Sequence, residues 1–282
     1  MILLGLDIET GNPFSKPSGE DWPREESWLT EIGIVAYDTE LGNTPVEVYS
    51  ALINEGKGVD EDPAELTKIT TEMIEKHGED PRKVAEKCLE MLESSEYVFA
   101  HNARSADKPW LKAFLLRYID KEKLKKSKFP TWVCSMEDIE YPSDCKKRSL
   151  GELSVYHQIL NCFPHRAVTD VLTMMSIVLR YDLDRIIKLA ESPEVIVKAN
   201  FKEMDEFHYS DKKAYFQEGT DQFKALNLWK KKVKGKGFFW DADGSRTGTS
   251  KIWAKKVKEI QVKEGFLEEL DFDYEVINVK LL

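Results

Sequence analysis

The chain has 282 residues, 41% of them hydrophobic and 11% aromatic with seven Trp, and carries a formal net charge of -10 at pH 7. That length buries one large core with room for a second, smaller unit, and the aromatic content excludes a disordered chain. The longest uncharged apolar runs, such as residues 2–6, are too short to span a bilayer, which excludes a helical membrane protein.

Met1 runs directly into strand-like sequence with no basic leader region, so the expected location is cytoplasmic and no membrane partner is expected. Four cysteines (Cys88, Cys134, Cys145, Cys162) form no C-x-x-C pair and read as reduced thiols. A zinc site built from Cys134, Cys145, Cys162 and His165 lacks the paired short spacings of zinc ribbons. The charge is unevenly placed. Residues 1–194 hold 24 basic and 36 acidic side chains, whereas residues 224–263 hold 12 basic and 3 acidic ones.

In chain order, residues 2–9 are rich in branched side chains and stop at Thr10 and Gly11, which predicts a buried strand. A polar loop with Pro13, Pro17 and Pro23 runs to about Ser27. Strands are predicted over 31–37 and 46–53, with a turn over 41–45. Residues 63–92 are helical in composition, broken near 78–81. A short strand follows at 97–100, then a helix over 107–118 whose Trp110, Leu111, Phe114 and Leu115 fit a 3.6-residue period. Another short strand falls at 132–134, and helices at 149–156 and 168–180 close this unit. Three strands followed by alternating helix and strand predict an α/β fold, a mixed sheet flanked by helices.

The character changes around Pro193, which separates an expected first domain, 1–190, from a second, 195–282. In the second, 195–201 reads as a strand and 211–232 as a helix. Residues 238–240 and 252–257 read as a hairpin, so the expectation is a small α+β domain.

Asp7 and Glu9 lie two apart on a strongly hydrophobic strand, and a period of two puts both carboxylates on one face. Adjacent carboxylates in an apolar setting repel and lose hydration unless a cation compensates. A divalent ion supplies that cation, and carboxylate oxygens suit magnesium or manganese. The alternative for this pair is a strand end where both side chains reach water. Asp107 opens a helix after a strand end, and Asp170 enters the last helix of the unit. His165 precedes Asp170 by five residues in a loop, where an imidazole near carboxylates can take a proton from water. Taken singly, each has a plainer reading: Asp107 as a helix-start residue, His101 as a polar core residue, His165 as a solvated loop residue.

Leu6-Asp-Ile-Glu-Thr-Gly11, Ala100-His-Asn-Ala103 with Asp107, and His165-Arg-Ala-Val-Thr-Asp170 together resemble the three motifs of the DEDDh (DnaQ-like) 3'-5' exonucleases of the ribonuclease H-like superfamily. The resemblance covers about residues 1–185. It implies that Asp7, Glu9, Asp107 and Asp170 hold two divalent ions, magnesium or manganese, and that His165 is the general base. It places the backbone of Thr10 and Gly11 beside the terminal nucleotide, with His101 and Asn102 among the nucleic-acid contacts. Trp28, where the polar loop ends, either stacks a terminal base or packs in place. Two departures stand out. His101 and Asp107 are six apart where the pattern has five, and Ala106 stands where an aromatic is common.

The second domain interleaves Lys230, Lys231, Lys232, Lys234, Lys236, Lys251, Lys255 and Lys256 with Trp229, Phe238, Phe239, Trp240 and Trp253. Such lysines attract phosphates, and such aromatics either stack unpaired bases or form the domain's own core. No sliding-clamp peptide is found: Gln222 to Leu226 sits in a predicted helix and does not fit. The expected function is a metal-dependent 3'-5' exonuclease acting on 3' ends of single-stranded DNA, with an RNA substrate or a nuclease-like binding protein as alternatives. The second domain is expected to bind nucleic acid through its basic cluster, with docking to a replication or repair protein as the alternative.

Overall fold

A computed structural model describes residues 1–12, 27–201, 221–242 and 252–277. They belong to two compact units, Met1–Glu191 and Ser192–Leu282. The first runs β1 (Ile2–Thr10), β2 (Leu29–Asp38), β3 (Thr44–Leu52), α1 (Glu61–Thr67), α2 (Thr71–His77), α3 (Pro81–Glu93), β4 (Tyr97–Ala100) and α4 (Asp107–Tyr118). It continues through α5 (Lys121–Lys126), β5 (Thr131–Cys134), α6 (Leu150–Tyr156), α7 (Ala167–Val178) and α8 (Leu183–Glu191). The five strands form one sheet of order β3-β2-β1-β4-β5, antiparallel across β3, β2 and β1 and parallel across β1, β4 and β5. This is the mixed, helix-flanked sheet of the ribonuclease H-like class.

Strand alternation decides what each face receives. On one face Leu4, Leu6 and Ile8 of β1 join Ile32 and Ile34 of β2 beneath α3 and α4. On the other, Leu3, Val35 and Phe99 pack against Leu153 of α6, Ile186 of α8, and Val171 and Met175 of α7. Along β1 this second face continues as Gly5, Asp7 and Glu9, so the acidic pair lies under α7. Room for α7 comes from two glycines. A Cβ on Gly33, the register partner of Asp7, would lie 2.5 Å from the Val168 backbone nitrogen and 2.6 Å from the Ala167 carbonyl carbon. One on Gly5 would lie 2.6 Å from Val171 Cγ1. The first turn of α7 therefore settles directly on the strands beside Asp7.

The helical stretch over 63–92 is three helices, with a break at 68–70 besides the one expected near 78–81. Lys68 is left-handed at φ 61, and the Thr70 hydroxyl accepts from the Met73 N–H to start α2. The helix over 168–180 does not close the unit, because α8 follows it and buries Ile186, Ile187 and Leu189. Neither α5 nor α8 was foreseen. The proline-bearing loop falls on residues 13–26, outside the described residues.

The second unit holds β6 (Glu194–Ala199), α9 (Asp221–Gly235), β7 (Phe239–Asp241), β8 (Ile252–Lys258), α10 (Glu259–Lys263) and β9 (Tyr274–Ile277). Its sheet is antiparallel with order β7-β8-β6-β9. The expected hairpin is present, with Trp240 opposite Trp253. Of the helix expected over 211–232, residues 211–220 lie outside the described residues, and the described helix runs on to Gly235. The aromatics do supply core here: Phe238 and Trp253 pack with Val195, Val197 and Val233. No helix among the described residues is long and apolar enough to cross a membrane.

The seat of α7 is testable. Gly33→Ala pushes a methyl into backbone that cannot swing aside and is expected to cost about 1–3 kcal/mol in urea unfolding. Gly151→Ala in α6, where nothing lies within 4 Å, is the control and is expected to lose no stability. Equal stability of the two variants would show that α7 does not rest on Gly33.

Candidate active site

Three elements bring the acidic side chains to one end of the first unit's sheet. β1 contributes Asp7 and Glu9. The first residue of α4 is Asp107, only 3% exposed, and the nearby backbone N–H groups of Asp107 and Ile8 favour its charged form. The first turn of α7 carries Asp170, which accepts from Asn161 Nδ2 at 2.6 Å and from the His165 backbone N–H at 3.0 Å. Among the described residues one trio of metal-ligating side chains comes together: Glu9, His165 and Asp170, whose ligand atoms all lie within 4.8 Å of one another. Asp7 and Asp107 stand outside that trio, but the charge of Asp107 acts on Glu9, and the charges of Glu9 and Asp170 act on Asp7.

The loop before α4 accommodates the extra residue as a compact turn. Asn102 sits at φ 61, a conformation Asn tolerates, and its carbonyl accepts the N–H groups of Ser105 and Ala106. Arg104 anchors the turn, reaching the fully buried Asp138 at 2.7 Å and Glu137 at 2.7 Å. The longer spacing thus leaves Asp107 at the head of its helix.

His165 is exposed and also left-handed, at φ 61. That conformation is uncommon for a side-chain-bearing residue and is held by its N–H bond to Asp170. The next residue, Arg166, grips a fifth carboxylate. Glu31 lies on β2 directly across from Glu9 and accepts from Arg166 Nη2 at 2.6 Å and from the Ala167 N–H at 2.9 Å. It thereby caps α7, which has no side-chain cap of its own. Glu31 was not singled out in the sequence. Its place beside Glu9 depends on strand register, and the intervening loop hides that register from a single sequence.

The carboxylates raise one another's pKa. Glu9 is pushed up to about 8, first by burial and then by the charges of Asp170, Glu31 and Asp107, with Arg166 opposing. Asp7 is raised well above the ordinary range by burial and by Asp107, Glu9 and Asp170. Burial raises Asp107 to about 7 against the lowering effect of the Asp107 and Ile8 backbone N–H groups. Asp170 is raised by burial against Asn161 and the His165 N–H. Arg166 is the cation beside this cluster, and Glu31 engages it. A set of hard carboxylate oxygens short of positive charge fits a divalent cation such as magnesium or manganese.

The expected nucleic-acid contacts are placed as follows. The buried Thr10 hydroxyl donates to the Asn12 carbonyl at 2.7 Å. Both backbone groups of Gly11 are engaged: its N–H donates to Trp28 O and its carbonyl accepts from the Asp60 N–H. Trp28 donates Nε1 to the Gly58 carbonyl at 2.9 Å, with the Lys57 ammonium 4.9 Å from its ring centroid, so it has packing partners. His101 is half-buried with Nδ1 2.9 Å from Ser135 Oγ, and burial lowers its pKa. The cysteine-based zinc arrangement does not form among the described residues.

The Exonuclease (RNase T) family model matches residues 4–178, which span the sheet and every one of these acids. The chain belongs to this exonuclease family. Its motifs and fold are those of the DEDDh 3'-5' exonucleases. No curated protein sequence matches the chain. Among solved structures, an exonuclease I shares the fold at a TM-score of 0.54 and 13% identity, covering 71% of this chain and 48% of that one. The chain therefore spans about half the length of that enzyme. The zinc-bound complex of E. coli exonuclease I with single-stranded DNA gives a TM-score of 0.55 at 12% identity, covering 91% of this chain and 63% of that one.

The raised carboxyl groups make the stability of the chain in chelator pH-dependent. The folded state holds protons on Glu9 and Asp107 up to about pH 8 and 7, whereas the unfolded chain releases them near 4. Their contribution is therefore complete below about pH 4 and is lost as pH rises through 7 to 8, at up to about 1.4 kcal/mol per pH unit for each proton retained. Urea unfolding in chelator is expected to show this decline, Glu9→Gln to flatten it, and magnesium or manganese to restore stability at pH 8. A pH-independent midpoint would refute the electrostatic account.

Proposed function

We propose that the first unit is a metal-dependent 3'-5' exonuclease that releases nucleoside 5'-monophosphates from the 3' ends of single-stranded DNA. The observation that carries this reading is the convergence of Glu9, Asp170 and His165 ligand atoms within 4.8 Å, beside Asp7 and Asp107. Asp7, Glu9, Asp107 and Asp170 would hold two divalent ions, magnesium or manganese. Such ions, when bound, supply a nucleophile at neutral pH and neutralise charge on the attacking and leaving oxygens. The imidazole of His165 takes the proton of the attacking water. A bond forms between that oxygen and the terminal phosphorus, the bond to the 3' oxygen of the preceding nucleotide breaks, and that oxygen is protonated as the new 3' hydroxyl.

Several features support these roles. His165 is exposed, so its ring can meet water and substrate, and its N–H bond to Asp170 ties its loop to the acidic cluster. Imidazole is the side chain suited to accepting and releasing protons near neutral pH. DNA is favoured over RNA because the E. coli exonuclease I structure, similar over 91% of this chain, is a complex with single-stranded DNA. The second unit would bind nucleic acid or dock a replication or repair protein.

Electrophoretic digestion of matched 5'-labelled single-stranded DNA and RNA tests the reading. A descending ladder that needs magnesium or manganese is expected, with DNA the faster substrate. Asp7→Ala is expected to abolish cleavage while keeping the fold, because it removes one of several repelling charges. His165→Ala should slow cleavage by roughly 10²–10⁴-fold, the range for a lost general base. Substantial cleavage by Asp7→Ala would sink the metal-site assignment, and an unchanged rate in His165→Ala would move the base elsewhere. Faster RNA cleavage would reverse the sugar assignment.

A further inference from the structure

The second unit contains a cavity of about 850 Å³ where α9 meets the end of the sheet, walled by aromatic rings and lysines. Three indoles converge there. Trp253 meets Trp229 edge-on with ring centroids 6.3 Å apart, and Trp240 is tilted against Trp253 at 5.8 Å. Trp253 is buried and belongs to the core, but Trp240 stays 47% exposed, more than a core role requires.

The charges point the same way. Lys224, Lys232 and Lys256 each pair with a carboxylate, whereas among the described residues none pairs with the cavity-lining Lys230 or Lys234. Lys234 instead holds its ammonium 5.5 Å from the Trp253 ring centroid. An exposed ring and two cations that no described carboxylate engages suit a ligand that offers a flat π face and negative charge together. An unpaired nucleotide offers both; a duplex hides its base faces, and an acidic peptide need not offer a flat ring.

We propose that this cavity holds an unpaired nucleotide of the substrate strand, its base stacked on Trp240 and its phosphates at Lys230 and Lys234. The inference rests on the reading that the exonuclease acts on single strands. It gives the chain a strand-holding site apart from the acidic cluster, tolerant of sequence because every base has a π face.

The test uses the full chain in chelator and a labelled long oligothymidylate, with affinity read by fluorescence anisotropy over a salt series. Trp240→Ala is expected to weaken binding roughly 5- to 150-fold, the loss of one stacked base, and Trp240→Tyr to recover most of it. Lys230→Gln combined with Lys234→Gln should lower the slope of log affinity against log salt by about 0.7 per lysine. Unchanged affinity in Trp240→Ala with an unchanged slope in the lysine variant overturns the proposal. So does a lysine variant that loses only poly-glutamate binding, since the cavity would then dock protein. Cleavage by the wild-type chain in magnesium is scored on the same oligonucleotide. Cleavage alongside Trp240-insensitive binding overturns this inference alone, and Trp240-dependent binding without cleavage overturns the exonuclease reading alone.

Discussion

The repulsion among carboxylates held in one desolvated place governs the first unit. Asp7, Glu9, Asp107 and Asp170 each lose hydration on folding, and most also feel one another's charge. Left on mobile side chains, such groups would separate into water. Here the pleat of β1 fixes Asp7 and Glu9 on one face, and Gly5 and Gly33 let α7 close above them. Both faces of the sheet are packed, so the strands cannot relax to spread the charge. The strain appears instead as protons held more tightly than usual, which is the electrostatic condition for gripping a cation.

Helix ends relieve part of this strain. Asp107 and Asp170 each sit in the first turn of a helix, where unpaired N–H groups and the helix dipole favour negative charge. Asp170 also accepts a backbone N–H from outside its own helix, that of His165. This bond fixes side-chain direction as well as charge. The same bond that steadies Asp170 holds His165 in its left-handed conformation, so both residues are positioned by one contact.

Much of the first unit was legible because its signals are local. The strand at β1, the period of α4 and the three motifs each lie within a dozen residues, and the elements fall where those patterns put them. What escaped depends on tertiary context. The start of α2 rests on a Thr70 cap inside a stretch that reads as continuous helix. The short helix α8 has a buried face only because the sheet supplies one, and β9, four residues in an acidic stretch, is a strand because β6 pairs with it. Trp28 shows the same limit within the site: the sequence leaves stacking and packing open, and its hydrogen bond to Gly58, 30 residues away, is invisible until the chain is folded.

Glu31 is the residue whose absence from the sequence reading has the most consequence. A fifth carboxylate beside four others would worsen the repulsion if it acted alone. Instead it occupies the nearest cation, gripping Arg166 through both Nε and Nη2 and taking the Ala167 N–H as well. The Glu31–Arg166 pair is close to neutral as a unit and fastens the start of α7 to β2. Arg166 still lowers the pKa of Glu9, but it is held by Glu31 rather than inserted among the four acids. An arginine free to swing into the cluster would offset part of its charge permanently and compete with any metal. By committing that arginine to Glu31, the fold keeps the acidic cluster short of positive charge and leaves compensation to a bound cation.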